Sequence, residues 1–175
     1  MVNLLSVNLK RMRLKPLNKL QVTNLVMDVD GVITNGKFGY TQEGKISKEF
    51  GSHDSDALQI IKEKINVFFI SADKNGFKIS KKRINDMGFD LELISAKDRE
   101  RYILEKKATG ITVYIGDSFT DIPAMMAADF SMAPKNAFKP AKKMASLVLS
   151  CNGGEGAVAE ACIHICPSLF NLDPR

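Results

Sequence analysis

Short apolar runs alternate with amphipathic stretches along most of this chain, and this order restricts the possible folds more than any other feature of the sequence. The predicted strands are residues 24–29, 66–70, 90–94, 111–115, 129–133 and 146–149. The predicted helices are residues 55–64, 77–87, 97–107, 119–127, 137–144 and 156–166. A repeated strand and helix order predicts a doubly wound, Rossmann-like parallel sheet in the α/β class, with ligands bound at the carboxyl ends of the strands.

One segment interrupts the alternation. Residues 37–40 and 46–50 flank the turn-like sequence Gln42-Glu43-Gly44 and predict a β-hairpin that protrudes beyond the end of the first strand. No linker divides residues 24–166, and 175 residues of which 45% are hydrophobic fit one packed core. We therefore expect a single domain over residues 23–175, preceded by a basic N-terminal arm over residues 1–22.

Charge and composition exclude several classes of protein. The net charge is +5, but residues 1–20 hold five basic and no acidic side chains, so the remainder of the chain carries 20 of each sign. A nucleic-acid interface requires basic charge clustered on the folded domain, which argues against such a partner. No apolar run reaches the roughly 20 residues that a membrane span requires. Three cysteines without a Cys-x-x-Cys pair favour a reducing cytoplasm.

The first predicted strand ends in two carboxylates. Asp28 and Asp30 follow the apolar run at residues 24–27, and Gly31 allows the backbone to turn closely around them. Considered alone, this pattern fits a simple turn after a strand almost as well as a site. The ends of the following strands decide between these interpretations.

Each of the next predicted strand ends supplies a further polar group. Ser71 follows the second strand, Lys97 follows the third, and Asp117 and Asp121 follow the fourth. Crowded carboxylates repel one another unless a cation lies among them, and oxygen ligands select Mg²⁺. A hydroxyl and an ammonium beside them can hold phosphoryl oxygens. Together these groups predict a site for phosphate and magnesium in which a carboxylate attacks phosphorus.

In this order the motifs resemble those of the haloacid dehalogenase superfamily of phosphatases. The first motif of that family, D-x-D-G-x-[TV], stands here as residues 28–34, and the fourth motif, G-D-x-x-x-D, stands as residues 116–121. The resemblance covers residues 23–166 and is closest to the branch without a cap domain, typified by 3-deoxy-D-manno-octulosonate 8-phosphate phosphatase. The 40 residues between Asp30 and Ser71 are filled by the hairpin and one helix, which independently leaves no room for a cap.

The resemblance implies a role for each site residue. Asp28 is the expected nucleophile and Asp30 the acid and base, while Ser71 and Lys97 hold the phosphoryl group. The metal ligands are Asp28 and Asp117 through their side chains and Asp30 through its main-chain carbonyl. Asp121 lies outside the direct ligands or is a partner of Lys97. The implied enzyme is a magnesium-dependent phosphomonoesterase of lipopolysaccharide biosynthesis. It acts on 3-deoxy-octulosonate 8-phosphate or a nonulosonate 9-phosphate and assembles as a homotetramer through the hairpins.

Three positions depart from the pattern of the branch and affect the substrate. The sequences R-D-G-x-G, T-G-R and G-A-V-R-E are usual there, whereas this chain has His53 and Asp73 in place of the first two arginines and Ala159 in place of the third. Since arginine binds carboxylates in a bidentate manner, the choice of sugar acid stays open. His53 and Lys74 are the expected substrate-binding residues.

Two other interpretations deserve a test. A response-regulator receiver also gathers acidic groups, a hydroxyl and a lysine on a parallel sheet, but there the lysine follows the acidic groups, whereas Lys97 precedes Asp117 here. The alternative function is a non-catalytic binding or oligomerisation domain with the same fold. Such a domain is expected to have lost its nucleophile or its acid, and this chain retains both Asp28 and Asp30.

Overall fold

The structure is a computed structural model that describes Leu17 and residues 20–170. Residues 1–16, 18–19 and 171–175 lie outside the described part. The predicted basic arm falls almost entirely on these residues and therefore stays a prediction. Leu17 and Leu20, at the start of the described part, pack against the apolar core of the domain.

A parallel sheet forms the centre of the described part of the chain. Within residues 20–170 it contains six strands, which are β1 (Val22–Asp28), β4 (Asn66–Ser71), β5 (Leu91–Leu93), β6 (Ile111–Ile115), β7 (Phe130–Ala133) and β8 (Leu147–Val148). They lie in the order β5-β4-β1-β6-β7-β8, each pair parallel. Strand β1 lies in the interior of the sheet between β4 and β6, which confirms the predicted doubly wound parallel fold.

Helices cover both faces of the sheet. They are α1 (His53–Ile61), α2 (Phe77–Asp86), α3 (Arg99–Lys107), α4 (Ile122–Ala127), α5 (Lys139–Met144) and α6 (Ala157–Ile165). Side chains alternate along β1, so Leu25 and Met27 pack into one apolar cluster while Val26 packs into another on the opposite face. All three are fully buried, as expected for a strand covered on both sides.

Short 3₁₀ turns delay the start of two helices relative to the sequence pattern. Short 3₁₀ turns, Ala96–Asp98 and Phe119–Asp121, precede α3 and α4. In the second turn, Ser118 and Asp121 bond reciprocally to each other's backbone N–H groups, which fixes the turn ahead of the helix. These turns change which side chains face the sheet edge. Lys97, which was predicted to lie at the site, is part of the first turn.

The predicted hairpin is present, with β2 at Thr34–Thr41 and β3 at Gly44–Phe50. The two strands form their own antiparallel sheet. The chain between β1 and β4 is thus occupied by the hairpin and α1. None of the helices in the described ranges is long and apolar enough to cross a membrane.

Candidate active site

The carboxyl ends of three adjacent strands bring the predicted acidic residues together. Asp28 is the last residue of β1, Ser71 is the last residue of β4, and Asp117 follows β6 by two positions. One carboxylate oxygen from each of Asp28, Asp117 and Asp121 lies within 4.8 Å of the other two. The parallel register therefore gathers residues separated by about 90 positions in the sequence at a single point.

The loop after β1 fits closely against this cluster. The carbonyl of Val29 accepts hydrogen bonds from the N–H groups of Val32, Ile33 and Thr34, which turns the chain tightly. Gly31 has a φ of +84°, and a Cβ atom there would lie 2.1 Å from Asp117 Oδ2. Glycine is thus required both for the backbone conformation and for the close approach of Asp117.

The cation at the site is Arg99, and the prediction that assigned this place to Lys97 needs correction. Lys97 is exposed on the 3₁₀ turn, where its charge acts on the neighbouring carboxylate of Asp98. Arg99 is only 3% exposed. Its guanidinium donates to Asp28 Oδ1 at 2.9 Å and also forms an ion pair with Asp121. Because the turn delays α3, the basic side chain two residues later is the one that faces the sheet edge.

Asp121 supports the site rather than offering a free ligand atom. Its Oδ1 accepts hydrogen bonds from Arg99 and from the hydroxyl of Tyr114. Its Oδ2 accepts from the N–H groups of Asp117 and Ser118, at 3.1 and 2.9 Å, and from the Ser118 hydroxyl at 2.7 Å. Both oxygens are therefore engaged, and the Asp117 loop is held through them.

Asp117 presents the opposite situation. Its Oδ1 is buried and accepts no hydrogen bond from any residue of the described part. A buried carboxylate oxygen without a donor is costly unless a cation binds it. With Asp28 beside it, Asp117 provides the all-oxygen environment that suits a divalent cation such as Mg²⁺.

Burial and mutual repulsion raise the pKa values of the two acids at this point. Burial is the largest cause for Asp28, followed by the charge of Asp121, and together they raise its pKa to about 8 in spite of Arg99. The same two causes raise the pKa of Asp117 to about 7. Without a metal, protonation of Asp28 and Asp117 is therefore favoured over a state in which every carboxylate of the cluster is negatively charged.

Asp30 lies beside the cluster, in contact with the hairpin. The ammonium of Lys48, a residue of β3, lies 2.8 Å from each of its carboxylate oxygens. The Lys48 side chain is fully buried. Ser71 is also buried, at 1% exposed, and its hydroxyl accepts the N–H of Asp73 at 3.1 Å.

The two predicted substrate-binding residues are not part of this arrangement. His53, the first residue of α1, and Lys74, in the loop after β4, are both exposed. The hydrogen bonds and ion pairs of the described residues instead bring Lys48 and Asp73 next to Asp30. One signal in the sequence could have indicated Lys48 as a site residue: a hairpin that returns to the end of β1 places one of its own strands beside the site. The residues around Lys48, however, resemble those of a solvated strand.

Comparison with known proteins identifies close relatives. No family model matches the chain. The 3-deoxy-D-manno-octulosonate 8-phosphate phosphatase KdsC of Haemophilus influenzae is 32% identical over 142 residues, which cover 78% of each chain. The enzyme of the same name from Yersinia pestis is 29% identical over 144 residues, covering 79% of this chain and 76% of its own.

Solved structures agree with these relatives. The cobalt-bound deoxy-D-mannose-octulosonate 8-phosphate phosphatase of H. influenzae superposes with a TM-score of 0.79 at 28% identity, covering 90% of this chain and 94% of that one. The phosphatase of Moraxella catarrhalis, in complex with magnesium, phosphate and KDO, superposes with a TM-score of 0.76 at 24% identity, covering 98% and 96%. The second likeness concerns the fold alone.

Proposed function

The chain belongs to the haloacid dehalogenase superfamily, in the branch of the 3-deoxy-D-manno-octulosonate 8-phosphate phosphatases, and we propose that it is a magnesium-dependent phosphatase of a sugar-acid phosphate. The observation that carries the proposal is the convergence of Asp28, Asp117 and Arg99 at the carboxyl ends of the central strands, with Asp30 beside them. A nucleophile, an acid, a cation and a candidate metal site are the groups that phosphomonoester hydrolysis requires.

Two carboxylates carry out the proton and phosphoryl transfers. A carboxylate oxygen of Asp28 attacks phosphorus and forms an aspartyl phosphate, and the departing sugar oxygen takes a proton from Asp30. Water then attacks the phosphorus of this intermediate while Asp30 takes one of its protons. Inorganic phosphate leaves, Asp28 is regenerated and Asp30 is again protonated, so the cycle is closed.

Neighbouring groups hold the transferred phosphoryl group. The Ser71 hydroxyl ends the strand next to Asp28 and can donate to one phosphoryl oxygen, and the Arg99 guanidinium is already bonded to Asp28. Fixed donors accelerate such transfers where negative charge is redistributed. Arg99 thus takes the role that the sequence prediction gave to Lys97.

Asp28 and Asp117 would hold Mg²⁺ through their side chains, and Asp30 through its main-chain carbonyl. The ion supplies positive charge that offsets the repulsion between the carboxylates and the incoming phosphate. The H. influenzae phosphatase of known structure contains cobalt, which supports a metal cofactor for this chain. The orphaned Asp117 Oδ1 is the ligand atom that this chain most clearly offers.

The proposed substrate is 3-deoxy-octulosonate 8-phosphate or a nonulosonate 9-phosphate. The relatives support the first compound, because both are named 3-deoxy-D-manno-octulosonate 8-phosphate phosphatases. Because arginine is absent at positions 53, 73 and 159, recognition of a substrate carboxylate by this chain must use other groups. We place the enzyme in the cytoplasm, where its three free cysteines remain reduced.

A substrate panel tests the function. Purified protein is incubated with Mg²⁺ and with phosphorylated sugars and sugar acids, and released phosphate is measured, with EDTA as the control. We expect hydrolysis in Mg²⁺, strongest with a sugar-acid phosphate, and none in EDTA. Absence of hydrolysis across the panel would instead favour the non-catalytic binding domain.

A further inference from the structure

We infer that Lys48 is a positioning residue for Asp30. Through Lys48, the hairpin contributes to the active site of its own chain. The inference rests on the proposed function, because it assigns Asp30 a proton-transfer role. It concerns a residue of β3, a strand that the sequence analysis assigned to contacts between subunits.

The Lys48 ammonium contacts three other residues. A lysine ammonium carries three N–H groups, and this one has three partner residues, each at 2.8 Å: Asp30, Asp73 and the hydroxyl of Ser80. Asp30 follows β1, Asp73 follows β4, and Ser80 lies on α2. One buried ammonium therefore joins the hairpin to two loops of the site and to a helix behind them.

The surroundings leave Lys48 little freedom. A Cβ atom on Gly76 would lie 2.6 Å from Lys48 Cε and 2.3 Å from Asp73 Oδ2, so the glycine makes room for this packing. Burial would raise the pKa of Asp73, but its bonds to Lys45 and Lys48 outweigh burial and lower that pKa to about 2. Asp73 thus remains a carboxylate that forms a second ion pair with Lys48, besides the one with Asp30.

The arrangement fixes the direction of the Asp30 side chain. Charge-assisted hydrogen bonds are short and strong, and a buried ammonium costs too much to remain without its partners. Asp30 must reach the departing oxygen and later a water molecule, both beside Asp28. A carboxyl group whose direction is fixed by a rigid partner is placed for both transfers, donating a proton as the acid and accepting one as the carboxylate, whereas a free one must be ordered in each cycle.

Lys45 supplies a matched control. It lies three residues earlier on the same strand, bonds to Asp73 at 2.6 Å and lies over the Phe38 ring, but its described contacts do not include Asp30. Both lysines can be changed to methionine, which keeps the length of the side chain and removes the charge. A difference between the two variants therefore reports the contacts of Lys48 with Asp30 and Ser80 rather than the loss of a hairpin charge.

The experiment compares Lys48→Met, Lys45→Met and the wild type by steady-state hydrolysis of the best substrate from the panel. We expect kcat to fall about 30-fold or more in Lys48→Met, since acid–base catalysis contributes roughly 10²–10⁴-fold. KM should change less than about threefold, because Lys48 is buried and acts through Asp30. Lys45→Met should keep kcat within about threefold. Thermal stabilisation by Mg²⁺ should persist in both variants.

A milder change and a crystal structure keep the inference testable should Lys48→Met fold poorly. Ser80→Ala removes one partner of Lys48 without altering any charge, and kcat should fall by about three- to tenfold. Crystals of Lys48→Met or of Ser80→Ala should show the Asp30 carboxylate in a changed position.

Three results would each overturn the inference: equal kcat values in the two lysine variants, an effect confined to KM, or an unmoved Asp30. A wild type without phosphatase activity would refute the proposed function instead, and the position of Asp30 would still test the contact.

Discussion

Asp28 and Arg99 form a 2.9 Å ion pair although each side chain is at least nine-tenths buried. Three carboxylates, those of Asp28, Asp117 and Asp121, converge there beside this one guanidinium. Arg99 is always charged, and its planar fork reaches Asp28 and Asp121 at once, which a lysine ammonium does with poorer geometry. At the scale of single residues, the site is thus a cluster with excess negative charge that requires one more cation.

Substitution of Arg99 should have much larger effects than substitution of Lys97. Arg99→Met leaves buried carboxylates without their partner, and breaking a buried pair in this way typically costs about 3–5 kcal/mol of stability. We expect activity to fall at least 100-fold in Arg99→Met and to stay within about twofold in Lys97→Met. Urea unfolding and phosphate release measure the two effects. Equal losses of activity in both variants would restore Lys97 as the site cation.

The raised pKa values of Asp28 and Asp117 predict how metal-free protein responds to pH. The pKa values are about 8 and 7 in the fold, against about 4 in an unfolded chain. Between pH 4 and 8 the folded state therefore binds more protons, and its stability falls as pH rises. The melting temperature in EDTA should decrease from pH 6 to pH 9, and Mg²⁺ should reduce that decrease.

Asp117→Asn provides the control for this pH effect. Without one of the titrating acids, the melting temperature in EDTA should depend less on pH over the same range. Stability that increased from pH 6 to pH 9 in the metal-free wild type would contradict the assignment of these two acids.

At the scale of secondary structure elements, the element on which a site residue lies determines whether its position could be predicted from the sequence. Asp28 ends one strand and Asp117 follows another, and the apolar sequences of both strands are unambiguous, so parallel register alone brings the two residues together. Arg99 could not be located in the same way, because its orientation depends on a three-residue turn that sequence periodicity does not distinguish from a helix start. Lys48 lies on the hairpin, and its burial depends on how the hairpin packs against α2. The alternation of side chains along the strand does not reveal this burial.

The hairpin combines an anchored base with an exposed apolar surface. Lys45 and Lys48 bond to groups of the domain, whereas Phe38, Tyr40 and Ile46 are 44%, 64% and 59% exposed. Exposed apolar side chains and open strand edges favour contact with another copy of the chain. We propose that these hairpins assemble a homotetramer, as the resemblance implies.

Light scattering tests this assembly. We expect a particle of about four times the 19.3 kDa chain mass. The double variant Tyr40→Glu, Ile46→Glu should yield monomers, because both side chains are more than half exposed and the new charges would repel across the contact. Lys48 is unchanged in this variant, so its own effect is kept separate. A monomeric wild type at micromolar concentration with full activity would contradict the proposal.

At the scale of the whole molecule, the site depends on a rigid sheet buried on both faces. Apolar clusters above and below the sheet fix the strand order, and the strand ends then present their polar residues at one edge. The fold class and the convergence of Asp28 with Asp117 could be predicted from the sequence, since both follow from hydrophobic pattern and register. The partners of Asp30 and Asp121 are set by tertiary packing and required the structure.

Covalent catalysis by Asp28 is the central claim, and trapping of the intermediate tests it most directly. The enzyme is mixed with substrate and Mg²⁺, quenched with acid within one turnover, digested and analysed by mass spectrometry. We predict that the peptide carrying Asp28 gains the mass of one phosphoryl group, and that Asp28→Asn shows neither this gain nor phosphate release. An Asp28→Asn variant that retained even a tenth of the activity, a barrier change of only about 1.4 kcal/mol, would contradict the claim.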